Sequence, residues 1–284
     1  MIGINRQVYY RAQRRKKDKQ QIAKKVIDLV NTVRRKMPKL GTKKLYYKLQ
    51  ESLKSLGVGR DKLFDILRAN SLLIKAKKQY HVTTNSHHRF KKHKNLVEHL
   101  EITRPEQVFV SDITYVGSRD YPMYLALVTD AYSKKIVGYN LSDSLGAKGA
   151  VDALIMAIKN RCYPEWDLIH HSDRGVQYCC ELYQQALENA NIICSMTEKY
   201  DPYQNAVAER VNGILKQEFI GECHIKNIDL MRVLIKNSIQ IYNQDRPHYS
   251  NFMLTPNQMH QQAEIVMRTY KKQKTENQNE LVLS

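Results

Sequence analysis

The chain has 284 residues, 46 of them Lys or Arg against 28 Asp or Glu, for a formal net charge of +18 with 42% hydrophobic side chains. That is too apolar for a disordered basic tail and long enough for about two domains. No apolar run approaches the ~18 residues of a membrane helix, no apolar stretch follows the first charges as in a secretory signal, and five scattered cysteines with no CxxC pair fit a reducing cytosol rather than a disulfide scaffold.

The charge is unevenly placed. Residues 1–100 carry 27 basic and 6 acidic side chains, a net of +21, whereas residues 101–284 carry 19 and 22, a net of −3. A basic third seeks a polyanion, and nucleic acid is the commonest large one. In chain order, Gly3 to Tyr10 reads as the trailing part of an element too short to fold alone. Ile22, Val26, Leu29, Val30 and Val33 recur at spacings of three and four, one helical stripe flanked by Lys24, Lys25, Arg34, Arg35 and Lys36, and Pro38 stops it. Thr42 is placed to cap a second helix with Leu45, Leu49 and Leu53 inside. Gly57-Val58-Gly59 makes a turn, and a third helix from Asp61 buries Leu63, Ile66 and Leu67. Its outer face offers Arg60, Lys62 and Arg68 as DNA contacts, so residues 1–75 read as a helix-turn-helix-like region. A three-helix bundle with no groove-reading role is the alternative.

Residues 76–104 read as a solvated basic linker. His81, His87, His88, His93 and His99 raise the question of zinc, but no cysteine precedes Cys162 to complete a local His-Cys site.

From Gln107 the pattern becomes α/β. Strands are expected over residues 108–116, 123–129, 135–141, 168–171 and 192–196, with turns at Tyr121-Pro122 and Tyr132-Ser133-Lys134. Helices are expected over residues 149–158, 181–190 and 205–219. Three meandering strands followed by alternating helices and strands predict a mixed sheet with helices packed on it, spanning residues 105–225. Residues 226–266 read as a helical extension, and residues 267–284, charged and rich in Gln and Asn, as a disordered tail.

Three acids sit where chemistry is done. Asp112 lies inside a strand, where an uncompensated carboxylate is costly. Asp173 follows a strand end, where sites of open α/β sheets tend to lie. Glu209 lies on the last core helix, with residues 174–208, 35 in all, between it and Asp173. Three converging carboxylates repel one another unless a hard divalent cation lies between them. Magnesium (or manganese) takes such oxygen ligands, and two ions about 4 Å apart can clamp the attacking and leaving oxygens of a phosphodiester. Singly, each acid reads as well as a turn cap or a surface residue; together they point to a metal-dependent phosphoryl transferase. Asp130 reads instead as ordering the turn at Ala131-Tyr132-Ser133, and Asp201 as a turn residue before Pro202. Lys216, two helical turns after Glu209, faces the same way and reads equally as a DNA contact or as an exposed lysine.

These residues resemble a known family. Asp112, Asp173 and Glu209 with the following Lys216 resemble the DDE signature of the retroviral-integrase superfamily, whose core is RNase H-like. The strings SDITYV, LVTDAYSKKIVGY, HHSDRGVQY and DPYQNAVAERVNGILKQEF resemble bacterial insertion-sequence transposases, above all the second-reading-frame (OrfB) type. GTKKLYYKL and VGRDKLFDILRANSLL resemble that family's helix-turn-helix-like region, and Tyr242 to His248 with Leu254-Thr255-Pro256 its segment after the core, so the likeness covers roughly residues 3–260. It implies a transposase that frees a 3′-hydroxyl at a transposon end and joins it to another strand by transesterification. It also implies that Asp112, Asp173 and Glu209 bind two metal ions, that Lys216 contacts DNA near the cut, and that His171 and Asn205 support the acids. The expected partners are double-stranded DNA of element ends and target, further copies of the chain on that DNA, and an upstream reading-frame protein, all in the bacterial cytoplasm at the nucleoid. The His-His-Cys-Cys zinc module of retroviral integrases is missing. The rival readings are a catalytically silent or domesticated DNA-binding regulator, a tyrosine recombinase using one of 18 tyrosines near Arg246-Pro247-His248-Tyr249, and a nuclease that cuts without joining.

Overall fold

The computed structural model describes residues 6–74, 92–118, 120–198, 205–221 and 225–261. Gly3 to Asn5, His81, His87, His88, the Asp201-Pro202 turn and the 267–284 tail lie outside them.

The first element is one helix, α1 (Arg6–Lys36), of 31 residues. Arg6 to Tyr10 therefore belong to it and are not the end of a separate unit. The stretch contains no Gly or Pro and is rich in Arg, Lys and Gln, all good helix formers, so the helix runs on well beyond the apolar stripe that starts at Ile22. Three short helices follow: α2 (Thr42–Lys48), α3 (Gln50–Ser55) and α4 (Arg60–Ala69). The second helix expected from sequence is broken at Leu49, whose backbone leaves the helical region at φ −103° and ψ 11°. Gly41 rather than Thr42 is the cap residue, and the Thr42 side chain is buried in the first turn instead. Gly57, at φ +62°, makes the turn before α4. Val26, Val30, Leu45, Leu53, Leu63 and Leu67 are fully buried together.

The remainder is built on a five-stranded sheet of β1 (Val108–Ser118), β2 (Tyr121–Asp130), β3 (Ile136–Ser142), β4 (Ile169–Ser172) and β5 (Ile193–Met196), in the order β3-β2-β1-β4-β5. β1 pairs antiparallel with β2 and parallel with β4, which makes it the central strand and the sheet mixed. Tyr121 and Pro122 open β2 rather than forming a turn, paired with Ser118 and Gly117. Pro122 is tolerated because β3 pairs with β2 only from Tyr124 onward, so its missing N–H is not needed there.

Helices α5 (Ala147–Lys159), α6 (Val176–Cys179), α7 (Glu181–Asn189), α8 (Ala206–Ile214), α9 (Ile228–Asp245) and α10 (Pro256–His260) complete the fold. The two faces of β2 separate by strict alternation. Ala126 and Val128 pack with α5 and α7, whereas Leu125 and Leu127 pack with α8 and α9. Gly138 in β3 lets α5 lie against the sheet, since a Cβ there would come within 2.1 Å of the Ala153 carbonyl oxygen. The apolar cluster holding Leu125 and Leu127 also contains Val26, Val30, Leu45 and Leu63, so the N-terminal helices share a core with the sheet. Two polar ties cross the same junction: Lys44 pairs with Glu218 at 3.6 Å, and Lys48 Nζ donates to the Asp245 carbonyl at 2.9 Å.

Residues 92–103, read from sequence as solvated, lie against the protein. Met196 N–H donates to the Lys94 carbonyl, Leu96 N–H to Ser195 Oγ, and Val97, Leu100 and Ile102 pack on Val108 and Val110. Among the described residues no helix is long and apolar enough to cross a membrane.

Candidate active site

The parallel register of β1 and β4 sets Ser111 beside Ser172. The next residues are Asp112 and Asp173, so the two acids expected to act together follow on neighbouring strands, one inside β1 and one just past the end of β4. α8 crosses the same place. Asn205 Nδ2 donates to the Ser111 carbonyl at 3.1 Å, and Asn212 Nδ2 to Asp112 Oδ2 at 2.8 Å. Asn205, Glu209, Asn212 and Lys216 follow one another at helical spacings of four, three and four, forming a polar stripe that faces β1. Asn212 is the residue that sequence reasoning missed, and its three-residue step from Glu209 was the signal that marks it.

The electrostatics confirm that the three acids share one neighbourhood. The Asp112 carboxyl is pushed up from 3.8 to about 7 by burial first, then by the charges of Asp173 and Glu209, against the pull of the Asn212 hydrogen bond. Glu209 stands at the exposed rim, its carboxyl raised by partial burial. The Asp173 carboxylate accepts from Gly175 N–H at 3.0 Å, which fixes the loop into α6. The three acids do not bring their oxygens mutually within 4.8 Å. Among the described residues the only three ligand groups mutually within 4.8 Å are those of Glu106, Cys162 and His260. That second set is already satisfied. Glu106 accepts from Cys162 N–H at 2.6 Å, Tyr163 N–H at 3.1 Å and Arg161 Nε at 3.2 Å, and the Arg161 charge disfavours a cation there.

Beyond Ile214 the helix widens into a π-helical turn, Leu215–Ile220. Lys216 lies on it, with Nζ 3.3 Å from Thr114 Oγ1, two residues along β1 from Asp112. Burial lowers its ammonium pKa, and the Asp112 charge opposes that. It is thus beside the acids rather than splayed into solvent. His171 is buried on β4, paired with Val110 and so on the same sheet face as Asp112, its Nδ1 2.8 Å from Ser195 Oγ on β5. Tyr178 on α6 is also buried, and its hydroxyl has no hydrogen-bond partner among the described residues; burial and the charges of Asp112 and Asp173 hold that hydroxyl well above its usual pKa.

The remaining expectations fall as follows. Asp130 orders the turn after β2, accepting from Ser133 N–H at 2.7 Å and Ser133 Oγ at 2.5 Å. Arg246 is only 1% exposed and gripped by both Glu218 oxygens, at 2.8 and 2.6 Å, so it has no charge to offer a phosphate, against the tyrosine-recombinase reading. On α4, Arg60 pairs with Asp61 at 3.0 Å and Arg68 with Asp65 at 2.7 Å, while Lys62 Nζ donates to the Gly57 carbonyl at 3.3 Å. His93 and His99 join no metal-binding set among the described residues.

Residues 102–202 and 190–256 each match a family model described as "Integrase core domain". The chain is 33% identical over 252 residues to the "Insertion element IS600 uncharacterized 31 kDa protein" of Shigella sonnei, covering 87% of this chain and 92% of the relative. It is 35% identical over 198 residues to "Transposase InsF for insertion sequence IS3fB" of Escherichia coli (strain K12), covering 69% and 68% respectively. Among solved structures, a chain of a simian T-cell lymphotropic virus intasome bound to the PP2A regulatory subunit B56 gamma superposes with a TM-score of 0.50 at 18% identity, over 79% of this chain and 76% of that one. This last likeness is one of fold, and it matches the mixed sheet with flanking helices described above.

Proposed function

The chain belongs to the insertion-sequence transposases of the DDE integrase superfamily, and from that membership we propose that it cuts and joins DNA strands at Asp112, Asp173 and Glu209. The observation that carries this reading is the Asp112 carboxyl held up to about 7 by burial and by the two neighbouring acids. Such a set is unfavourable by itself and becomes favourable around a cation.

The donors are all carboxylate oxygens, which suits a hard divalent cation, magnesium or manganese. Bound by the three acids, one or two such ions would lower the pKa of the attacking group and offset the charge growing on the phosphate. The chain's own residues do the positioning. Asn212 fixes one oxygen of Asp112. Asn205 pins the start of α8 to β1 and so sets where Glu209 stands. His171, on the same sheet face as Asp112, ties β4 to β5 through Ser195. Lys216, held beside Thr114, offers its ammonium to the DNA phosphates next to the acids. The Tyr178 hydroxyl is buried and held protonated, so it is not a nucleophile. Water therefore attacks the phosphorus at the element end, the bond to the leaving 3′-oxygen breaks, and that oxygen departs as a hydroxyl. The hydroxyl then attacks a second phosphodiester, one P–O bond forming as another breaks.

The substrates are then duplex element ends and target DNA. Pairing two ends requires a dimer or higher assembly on DNA, with an upstream reading-frame protein as a further partner, at the nucleoid in the cytoplasm. The test is a strand-joining assay on the flanking element's end DNA in magnesium or manganese. Asp112→Asn, Asp173→Asn and Glu209→Gln should each lower joining by about 10³-fold or more, the scale of a lost charge-stabilising contact. Undiminished joining in these variants, or a protein–DNA adduct trapped in EDTA, would overturn the proposal. DNA binding by the wild type with neither cutting nor joining would favour a silent regulator.

A further inference from the structure

The basic third of the chain contains two helices on which DNA could be held, and they differ in a way the sequence did not show. α4, the helix a helix-turn-helix would place in the groove, carries Arg60, Lys62 and Arg68, but also Asp61 and Asp65. Two of its three cations are neutralised by these acids, and the third is turned back onto the Gly57 carbonyl. The exposed half of α1 is different. Residues 6–21 are all exposed, and none belongs to an apolar cluster of the described residues. Arg11, Arg14, Arg15, Lys16, Lys17 and Lys19 make no hydrogen bond or ion pair with any described residue, and Asp18 is the only acid in the stretch.

At 100° per residue these six cations are distributed around the whole circumference of the helix, not along one side. A helix resting on a single strand or on a lipid surface needs only one charged face, and a lipid-bound helix also needs an apolar one. A helix lying in the major groove has phosphates on both walls, and all-round charge fits that setting. The segment is about 24 Å long at 1.5 Å per residue, and its width of about 10–12 Å matches the groove's ~12 Å. Its second half, anchored through Val26 and Val30, supplies the helical nucleus that an isolated basic segment of this length would lack. Resting on the transposase reading above, we propose that residues 6–21 of α1, and not α4, form the main duplex-DNA grip, lying along the major groove with their cations on both phosphate walls.

The test compares the full-length quadruple variant Arg14→Ala/Arg15→Ala/Lys16→Ala/Lys17→Ala with Lys62→Ala/Arg68→Ala, by fluorescence anisotropy on a random-sequence duplex across a range of KCl. Alanine keeps the helix, and these residues are exposed, so unfolding midpoints should not move. Each phosphate contact contributes about 0.9 to the slope of log K against log salt, so the α1 variant should lose about 3 to 4 from that slope while the α4 variant stays at the wild-type value. An unchanged slope in the α1 variant, or a loss confined to the α4 variant, overturns the inference while leaving the transposase reading intact. Absence of any duplex binding by the wild type would sink both. If the α1 variant instead converts a wild-type oligomer to monomer with DNA binding unchanged, the exposed Val8, Tyr9 and Tyr10 mark a protein interface and the inference fails.

Discussion

Burial and the charges of Asp173 and Glu209 hold the Asp112 carboxyl near 7 in place of 3.8. The folded state therefore favours the protonated form. The stability Asp112 contributes is full below pH 3.8 and is lost as pH rises through 7, so at higher pH the ionised side chain is a cost. Asp112→Asn keeps an oxygen for Asn212 and removes that charge. It should stabilise the metal-free protein by about 2 kcal/mol above pH 7 in urea unfolding, and abolish any stabilisation by added magnesium. Lower stability, or a retained magnesium shift, would contradict the shared acidic site. Tyr178 offers a second check. Its hydroxyl is buried without a partner among the described residues, so Tyr178→Phe should be neutral or stabilising by up to about 1 kcal/mol, whereas a clear destabilisation would reveal a hidden hydrogen bond. The placement of the three acids, in a strand, just past a strand end and on a helix, was legible because each lies in or beside a segment whose period is clear. Asn212 was marked only by its three-residue step from Glu209, and Tyr178 by nothing: a Tyr after a loop is ordinary until the neighbouring strand is in place.

The elements were legible where a period ran long enough. β1 to β5 and α5, α7 and α8 fall close to their expected ranges, since alternation and the 3.6-residue repeat reflect burial directly. α6 has only four residues and shows no period, and the π-helical turn at Leu215–Ile220 departs from the repeat by which helices are recognised. Nor does a local pattern disclose the attachment of α10. His260 there is buried between Glu106, 3.3 Å from Nε2, and Asp130, 3.4 Å from Nδ1. Burial alone would lower its pKa, but the hydrogen bonds to Asp130 and Glu106 prevail and raise it above 6.5. Its contribution to stability is therefore present below 6.5 and lost as pH rises through the raised value. Glu106 works in the opposite sense. Although burial would raise its pKa, hydrogen bonds from His260, Cys162, Tyr163 and Arg161 hold it down at about 2, so its contribution is present above 4.5 and lost toward pH 2. Amide protection of α10 should be highest between about pH 4.5 and 6.5, and His260→Gln should remove the decline on the alkaline side. A flat profile in the wild type would refute the coupling.

Across the whole molecule, the N-terminal helices and the sheet unfold together if the shared core and its ties are as described. Glu218 is the principal tie. It binds the buried Arg246 with both oxygens and accepts Lys44 from α2. Glu218→Ala leaves Arg246 buried and unpaired, and should cost about 3–5 kcal/mol in a single cooperative denaturant transition. Two separate transitions would mean that the basic helices fold independently of the core. This architecture could not be read from the sequence, where Lys44 and Arg246 look like two more cations for DNA. Only folding shows that they are consumed internally while the cations of α1 remain outside.

The continuous cluster from Val26 through Leu125 to Tyr242 has one more effect. It makes the separation between α1 and the three acids a fixed property of the protein, so a duplex gripped by α1 as proposed would be cut at a distance counted in base pairs from α1. Inserting one base pair between the contacted segment and the element tip should rotate the scissile bond by about 35° about the duplex axis, given 10–10.5 base pairs per turn. Cleavage by a rigid body would then be periodic in spacer length, nearly lost at half a turn and partly regained at a full one.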